Sequence, residues 1–212
     1  AEFRGVTAGD FSELMLAIEK LPGTELLGAS GVLAKAGALW KTPKPFMLLA
    51  GASPDEQMRF DFLRQADELG DMEARAHVGG YYLHLGNSGA NKRLGVAKLQ
   101  EAARAGNSEA MLLLGDAALA GELGGERAPV ALDWAAKAAA KGRALIIQGE
   151  AKATSAPDEA RGLFEEAGEI LRRAGEINPK AWFYAAQAAY YGKKPAQMVE
   201  ALQKGCDAKD PN

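Results

Sequence analysis

The sequence predicts an all-α fold of stacked antiparallel helix pairs, on three observations. Apolar residues recur at helical spacing along most of the chain, and no convincing strand or hairpin pattern appears. Three windows, LGDMEARAHVG (Leu69 to Gly79), AGNSEAMLLLG (Ala105 to Gly115) and KGRALIIQG (Lys141 to Gly149), align on Gly70, Gly106 and Gly142, which are 36 and 36 residues apart. Each of those glycines follows a helical pattern: FDFLRQADELG, GVAKLQEAARAG and ALDWAAKAAAKG. Each unit therefore reads helix, break, helix. One such pair cannot bury its apolar face alone, so successive pairs must share a core.

Along the chain, Asp10 and Glu13 form a potential capping box ahead of Phe11, Leu14, Met15 and Ile18, an i, i+3, i+4, i+7 stripe that ends at Leu21-Pro22-Gly23. A second helix is expected from Thr24 to Trp40, stopped by Thr42-Pro43-Lys44-Pro45, because the residue before a proline is pushed out of the helical region. Phe46 to Ala50 is apolar and left without a type. Ser53-Pro54-Asp55-Glu56 reads as a helix start with Ser53 as cap and Pro54 in the first turn. Helices then follow at about 72–85, 92–105, 107–120, 129–141, 143–153, 157–175, 179–191 and 195–204. Gly106 closes one helix in the left-handed conformation and Asn107 caps the next, a joint that Gly70 and Gly142 are expected to repeat. Asn178-Pro179 opens the last pair, which breaks at Gly192.

Composition narrows the function classes. The chain has 212 residues, 48% of them hydrophobic, and 25 basic against 28 acidic residues give a formal charge of -3. No lysine or arginine stripe is laid out to neutralise a row of phosphates, so nucleic acid is not an expected partner. Cys206 is the sole cysteine, which excludes an intrachain disulfide and a cysteine-rich metal site. No run reaches the roughly 18 to 20 apolar residues needed to span a bilayer, so membrane insertion is not expected. A chain that begins at Ala1 without methionine fits processing after export, or a start altered by truncation or cloning. A periplasmic or secreted location is favoured slightly over the cytoplasm.

Among chemistry-bearing residues, His77, Tyr81 and His84 fall at i, i+4 and i+7, with Glu73 one turn earlier on the same helix face. As metal ligands they are poor, since two helical turns separate the histidines by roughly 10 Å and no Cys or Asp cluster completes a site. A solvated face or a partner-binding face is the better reading, and no metal, cofactor or catalytic group is expected. The loop GELGGERAP (Gly121 to Pro129) lacks the Gly-Lys-Ser/Thr ending of a phosphate-binding loop and reads as an inter-helix connection. Cys206 has no histidine near it in sequence. The acidic helix after Pro157 is interleaved with Arg161, Arg172 and Arg173, as a solvated face would be. Trp182, Phe183, Tyr184, Tyr190 and Tyr191 exceed what one amphipathic face buries, so one or two are expected to anchor an interface, self-association included.

The unit GNSEAMLLLGDAALAG followed by ALDWAAKAAAKG resembles a Sel-one-like repeat, a relative of the tetratricopeptide repeat. The likeness lies in Ala110, Leu114, Gly115 and Gly121 of the first helix and in Ala131, Trp134, Ala138, Ala139 and Gly142 of the second. The preceding unit carries Ala74, Val78, Gly79, Tyr82, Ala102, Ala103 and Gly106, with Lys98 where an aromatic is usual. The resemblance is good over about 55–142, fair to 205 and absent before 50.

It implies a right-handed α-solenoid, with 1–51 as a divergent N-terminal helical cap, 52–205 as the solenoid and 206–212 as a C-terminal tail. It also implies a non-enzymatic scaffold or adaptor, bacterial, that grips a partner protein on a concave face formed by the first helix of each pair. The lining expected there is Glu73, His77, Tyr81, His84, Leu113 and Ala117, with Trp182 and Tyr184 further along. An immunity protein that neutralises a cognate secreted toxin is the alternative role. An enzyme using the His77/Tyr81/His84 face is a more distant one.

Overall fold

A computed structural model describes residues 13, 15–85, 88–124 and 126–208. Every regular element among them is helical. After a helical stretch at 15–18 come α1 (Gly23–Gly28), α2 (Ser30–Trp40), α3 (Lys44–Ala52), α4 (Glu56–Glu68), α5 (Met72–Leu85) and α6 (Gly89–Arg104). The chain continues with α7 (Ser108–Ala120), α8 (Arg127–Lys152), α9 (Pro157–Ile177), α10 (Ala181–Tyr191) and α11 (Pro195–Asp207). From α3 onward each helix packs on its neighbour in sequence, and α5 also touches α7. This is the sequential pairing of an α-solenoid.

The N-terminal region departs from expectation at Ala29 and at Ser53. Asp10, Phe11 and Leu14 of the predicted capping box and stripe lie outside the described residues, while Met15 is buried against Ala36. The predicted helix from Thr24 to Trp40 is two helices bent at Ala29, where Gly28 and Ser30 supply low helix propensity. The untyped Phe46 to Ala50 segment is α3, which buries Phe46, Leu49 and Ala50. The α4 start also shifts: Asp55, not Ser53, is the cap, its carboxylate accepting the Met58 amide at 2.7 Å. Ser53 is buried and donates its hydroxyl to the Leu49 carbonyl at 2.6 Å, closing α3 instead.

Two of the three predicted joints form as expected. Gly70 and Gly106 adopt φ of 89° and 90°. Asp71 and Asn107 then accept the amides of Ala74 and Ala110, each at 2.8 Å. The third does not form: α8 runs unbroken from Arg127 to Lys152 through Gly142, so the helices expected at 129–141 and 143–153 are one.

The reason is on the sequence itself. Ala131, Ala135, Ala138, Gly142, Leu145 and Gly149 make an in-phase stripe, all buried, and Arg143 follows Gly142 where the other joints have a capping Asp or Asn. α9 lies antiparallel on that stripe. Leu171 fills the space over Gly142, and Phe164 fills that over Gly149, where an added Cβ would lie 2.5 Å from the ring.

α9 packs against α7 as α7 does against α5, so the alternation of the first two units continues there, and α10 likewise touches α8. Leu112 of α7 accordingly shares a core with Ile170, Leu171 and Ala174 of α9. The last pair also starts later than expected, at Ala181, with Asn178 accepting the Lys180 amide. α11 extends to Asp207, so Cys206 ends a helix rather than opening a tail.

Candidate functional site

The helix carrying Glu73, His77, Tyr81 and His84 is α5, and its position is set by one buried carboxylate. Asp67, at the end of α4, has a side chain only 3% exposed and receives Arg75 Nε at 2.7 Å and the Lys98 ammonium from α6. Arg75 also reaches Glu101 at 2.9 Å. α4, α5 and α6 are thus tied at one point. The Arg75 guanidinium is held above its ordinary pKa, first by the hydrogen bond to Asp67, then against burial by the charges of Asp67 and Glu101.

The predicted face divides among different neighbours. Glu73 and His77 are exposed and line a groove of about 420 Å³ with Met47, Ala50 and Leu63, bounded by Arg59. Tyr81 is half-buried and stacks on Phe60 of α4, ring centroids 4.0 Å apart at 24°, while Tyr82 meets the same ring edge-on. His84 is exposed two turns further along the same helix, within electrostatic reach of Asp116. The two histidines, roughly 10 Å apart along the helix axis, have different neighbours, which argues against one catalytic constellation. Among the described residues no group of three or more His, Cys, Asp and Glu side chains is arranged to hold a metal.

The remaining predicted residues sort by burial. Ala117 is buried in the core with Leu83 and Leu114, so it cannot line a surface. Leu113 is half-buried over Gly80 in the seam between α5 and α7. Trp182 is only 4% exposed, its indole packed over Gly175 with the Lys204 ammonium 4.6 Å from the ring centre. The close α9–α10 approach that Gly175 allows takes Trp182 inside. Tyr184 does reach the surface, under the Arg143 guanidinium at 4.4 Å. Among the described residues Phe183 and Tyr190 are the aromatics exposed most, each at 66%.

Sequence reading missed Asp116. It faces Arg173 at 4.0 Å, and Arg173 also pairs with Glu109, bridging α9 to α7. Its carboxyl titrates above the ordinary range because desolvation outweighs Arg173, with Glu109 pushing the same way and His84 opposing. A carboxyl raised on folding contributes stability that is complete below its unfolded pKa and is lost as pH rises through the folded one. Asp116→Asn should therefore melt slightly above wild type at pH 7, because the side chain is 54% exposed, with the gap shrinking as pH falls through the folded pKa and closed below about 4. Thermal melts across pH check this, and a gap that ignores pH would refute it.

The fold and these grooves define an α-solenoid that presents open surfaces between helices. No protein-family model matches the chain, and no curated protein matches it. Among solved structures it is similar to a Sel1 repeat protein from Oxalobacter formigenes, at 18% identity and a TM-score of 0.48. That match covers 86% of this chain and 56% of the other, so the chain spans little more than half the length of that protein. No helix among the described residues is long and apolar enough to cross a membrane.

Proposed function

We propose that this chain is a non-enzymatic scaffold that holds a partner polypeptide in the groove between α3, α4 and α5. The observation that carries the reading is the groove itself: an open hollow floored by Met47, Ala50 and Leu63, with Arg59, Glu73 and His77 around it. An apolar floor with a few polar groups at the rim suits side chains of a polypeptide. The Asp67 clamp holds two of its walls in fixed relation, so binding there loses little to ordering of the site. Assembly adaptor and toxin-neutralising immunity protein are roles that differ in which polypeptide enters the groove.

The test is capture of a co-purifying partner from the source cell by wild type and by a Glu73→Ala/His77→Ala variant. These side chains are exposed, so helicity and melting should hold while capture falls about tenfold or more. His84→Ala, two turns along the helix and outside the groove lining, should capture normally. Undiminished capture by the double variant would remove the groove from the proposal. Tyr81 is a poorer probe, because its ring supports Phe60 and truncation would disturb packing as well.

A further inference from the structure

We propose that a second surface, shared by the C-terminal half of α8 with α10 and α11, docks an acidic, aliphatic-rich segment of a partner protein. It rests on the scaffold reading above but concerns a different face and adds the chemistry of the occupant. Two hollows, of about 290 and 330 Å³, meet at Tyr184. Ile147 lines one, at 65% exposure, while Phe183 and Leu202 line the other, at 66% and 44%. Large apolar side chains this exposed and this close together form a patch rather than scattered surface residues.

Charge selects the occupant. Arg143 lies over the Tyr184 ring, and Lys180 stands one helical turn before Tyr184 at the rim of the second hollow. Among the described residues neither cation has a carboxylate within ion-pair distance.

One carboxylate, Glu150, lines the first hollow beside Arg143. Glu150 accepts the Tyr191 hydroxyl, Asp207 accepts the Gln203 amide at 2.8 Å, and Glu176 and Glu200 face Lys204. An acidic chain of formal charge -3 thus carries two adjoining apolar hollows lined by two cations, neither of them in an ion pair, and one carboxylate. A segment bearing carboxylates beside aliphatic side chains matches both features, whereas a basic one would meet like charge.

The continuity of α8 is what builds this face. Arg143, Ile147 and Glu150 lie on one helical face at i, i+4 and i+7, and α8 carries them to α10.

The experiment is fluorescence anisotropy with a fluorescein-labelled peptide of alternating leucine and glutamate, beside versions with glutamine or lysine in place of glutamate. The glutamate peptide should bind about tenfold more tightly than the glutamine one, and less tightly as salt rises. Arg143→Glu/Lys180→Glu should lose about tenfold affinity for it, with the circular dichroism spectrum unchanged. No binding, equal binding of the three peptides, or an unaffected double variant would overturn the proposal.

Light scattering over a concentration series supplies the remaining outcome. A wild-type dimer abolished by Arg143→Glu/Lys180→Glu would make a second copy the occupant and also overturn it. Glu73→Ala/His77→Ala should bind the glutamate peptide as wild type does, so failure at one groove is separable from failure at the other.

Discussion

Gly95→Ala should destabilise the protein by about 2 kcal/mol or more, despite alanine's better helix propensity, as overpacked cores do. An added Cβ at Gly95 would sit 2.7 Å from the Gly79 carbonyl oxygen and 2.8 Å from the Leu83 amide nitrogen. Both obstacles are backbone, so no rotamer change relieves them. α5 and α6 would have to separate, opening the core in which Leu83, Leu99 and Ala102 are buried. Gly162→Ala is the matched control: it lies within α9 and its Cβ would meet nothing within 4 Å. That change should raise stability by about 0.5 to 1 kcal/mol, as expected for replacing a helical glycine. Urea denaturation followed by circular dichroism measures both. A Gly95→Ala protein as stable as Gly162→Ala would show that the α5–α6 approach is not a tight one.

Asp67→Ala should cost about 3 kcal/mol, at the lower end for breaking a buried pair, because its cations keep some contact with water. The Asp67 side chain is 3% exposed, and Arg75 and Lys98 are 21% and 24% exposed. Removing the carboxylate leaves two cations facing each other across the α4, α5 and α6 junction, with Glu101 still on Arg75. Lys98→Met in the same background should recover part of the loss, since it removes one unpaired charge and keeps the aliphatic stem. A double-mutant cycle with those variants reads the coupling directly. Strict additivity of the two substitutions would mean that Asp67 and Lys98 do not act as a clamp. The expected consequence for function is a loosened groove, because Glu73 and His77 ride on the helix that Asp67 holds.

The helix pairs were legible because their signals are local. A positive-φ glycine followed by a capping Asp or Asn marks a joint, and Gly70-Asp71 and Gly106-Asn107 both behave that way. Gly142-Arg143 breaks that pattern, and the buried stripe from Ala131 to Gly149 passes through it in phase. The 36-residue spacing points to a joint there all the same. Gly142 is small for a different reason: it makes room for Leu171 of α9. Spacing alone does not distinguish a glycine that turns the chain from one that lets another helix approach.

The candidate site was legible in part. Helical periodicity correctly put Glu73, His77, Tyr81 and His84 on one helix, with both histidines exposed. It carried no information on what stands opposite each of them. The neighbours come from distant stretches: Met47 and Leu63 beside Glu73 and His77, Phe60 against Tyr81, and Asp116 near His84. Trp182 and Ala117 were expected at a surface, but close helix approach put them in the core.

By itself, then, the sequence determined that the chain is helical, where most helices begin and end, and that consecutive helices form pairs. Caps, prolines and apolar stripes act within a few residues, so their effect can be read without knowing the partner helix. The tertiary structure decided that α8 is one long helix. It also decided which aromatics stay outside, and that Arg143 and Lys180 line adjoining apolar hollows without ion-pair partners among the described residues. Those outcomes depend on which side chains fill the space over small residues on another helix, and burial of that kind is a property of the assembled core.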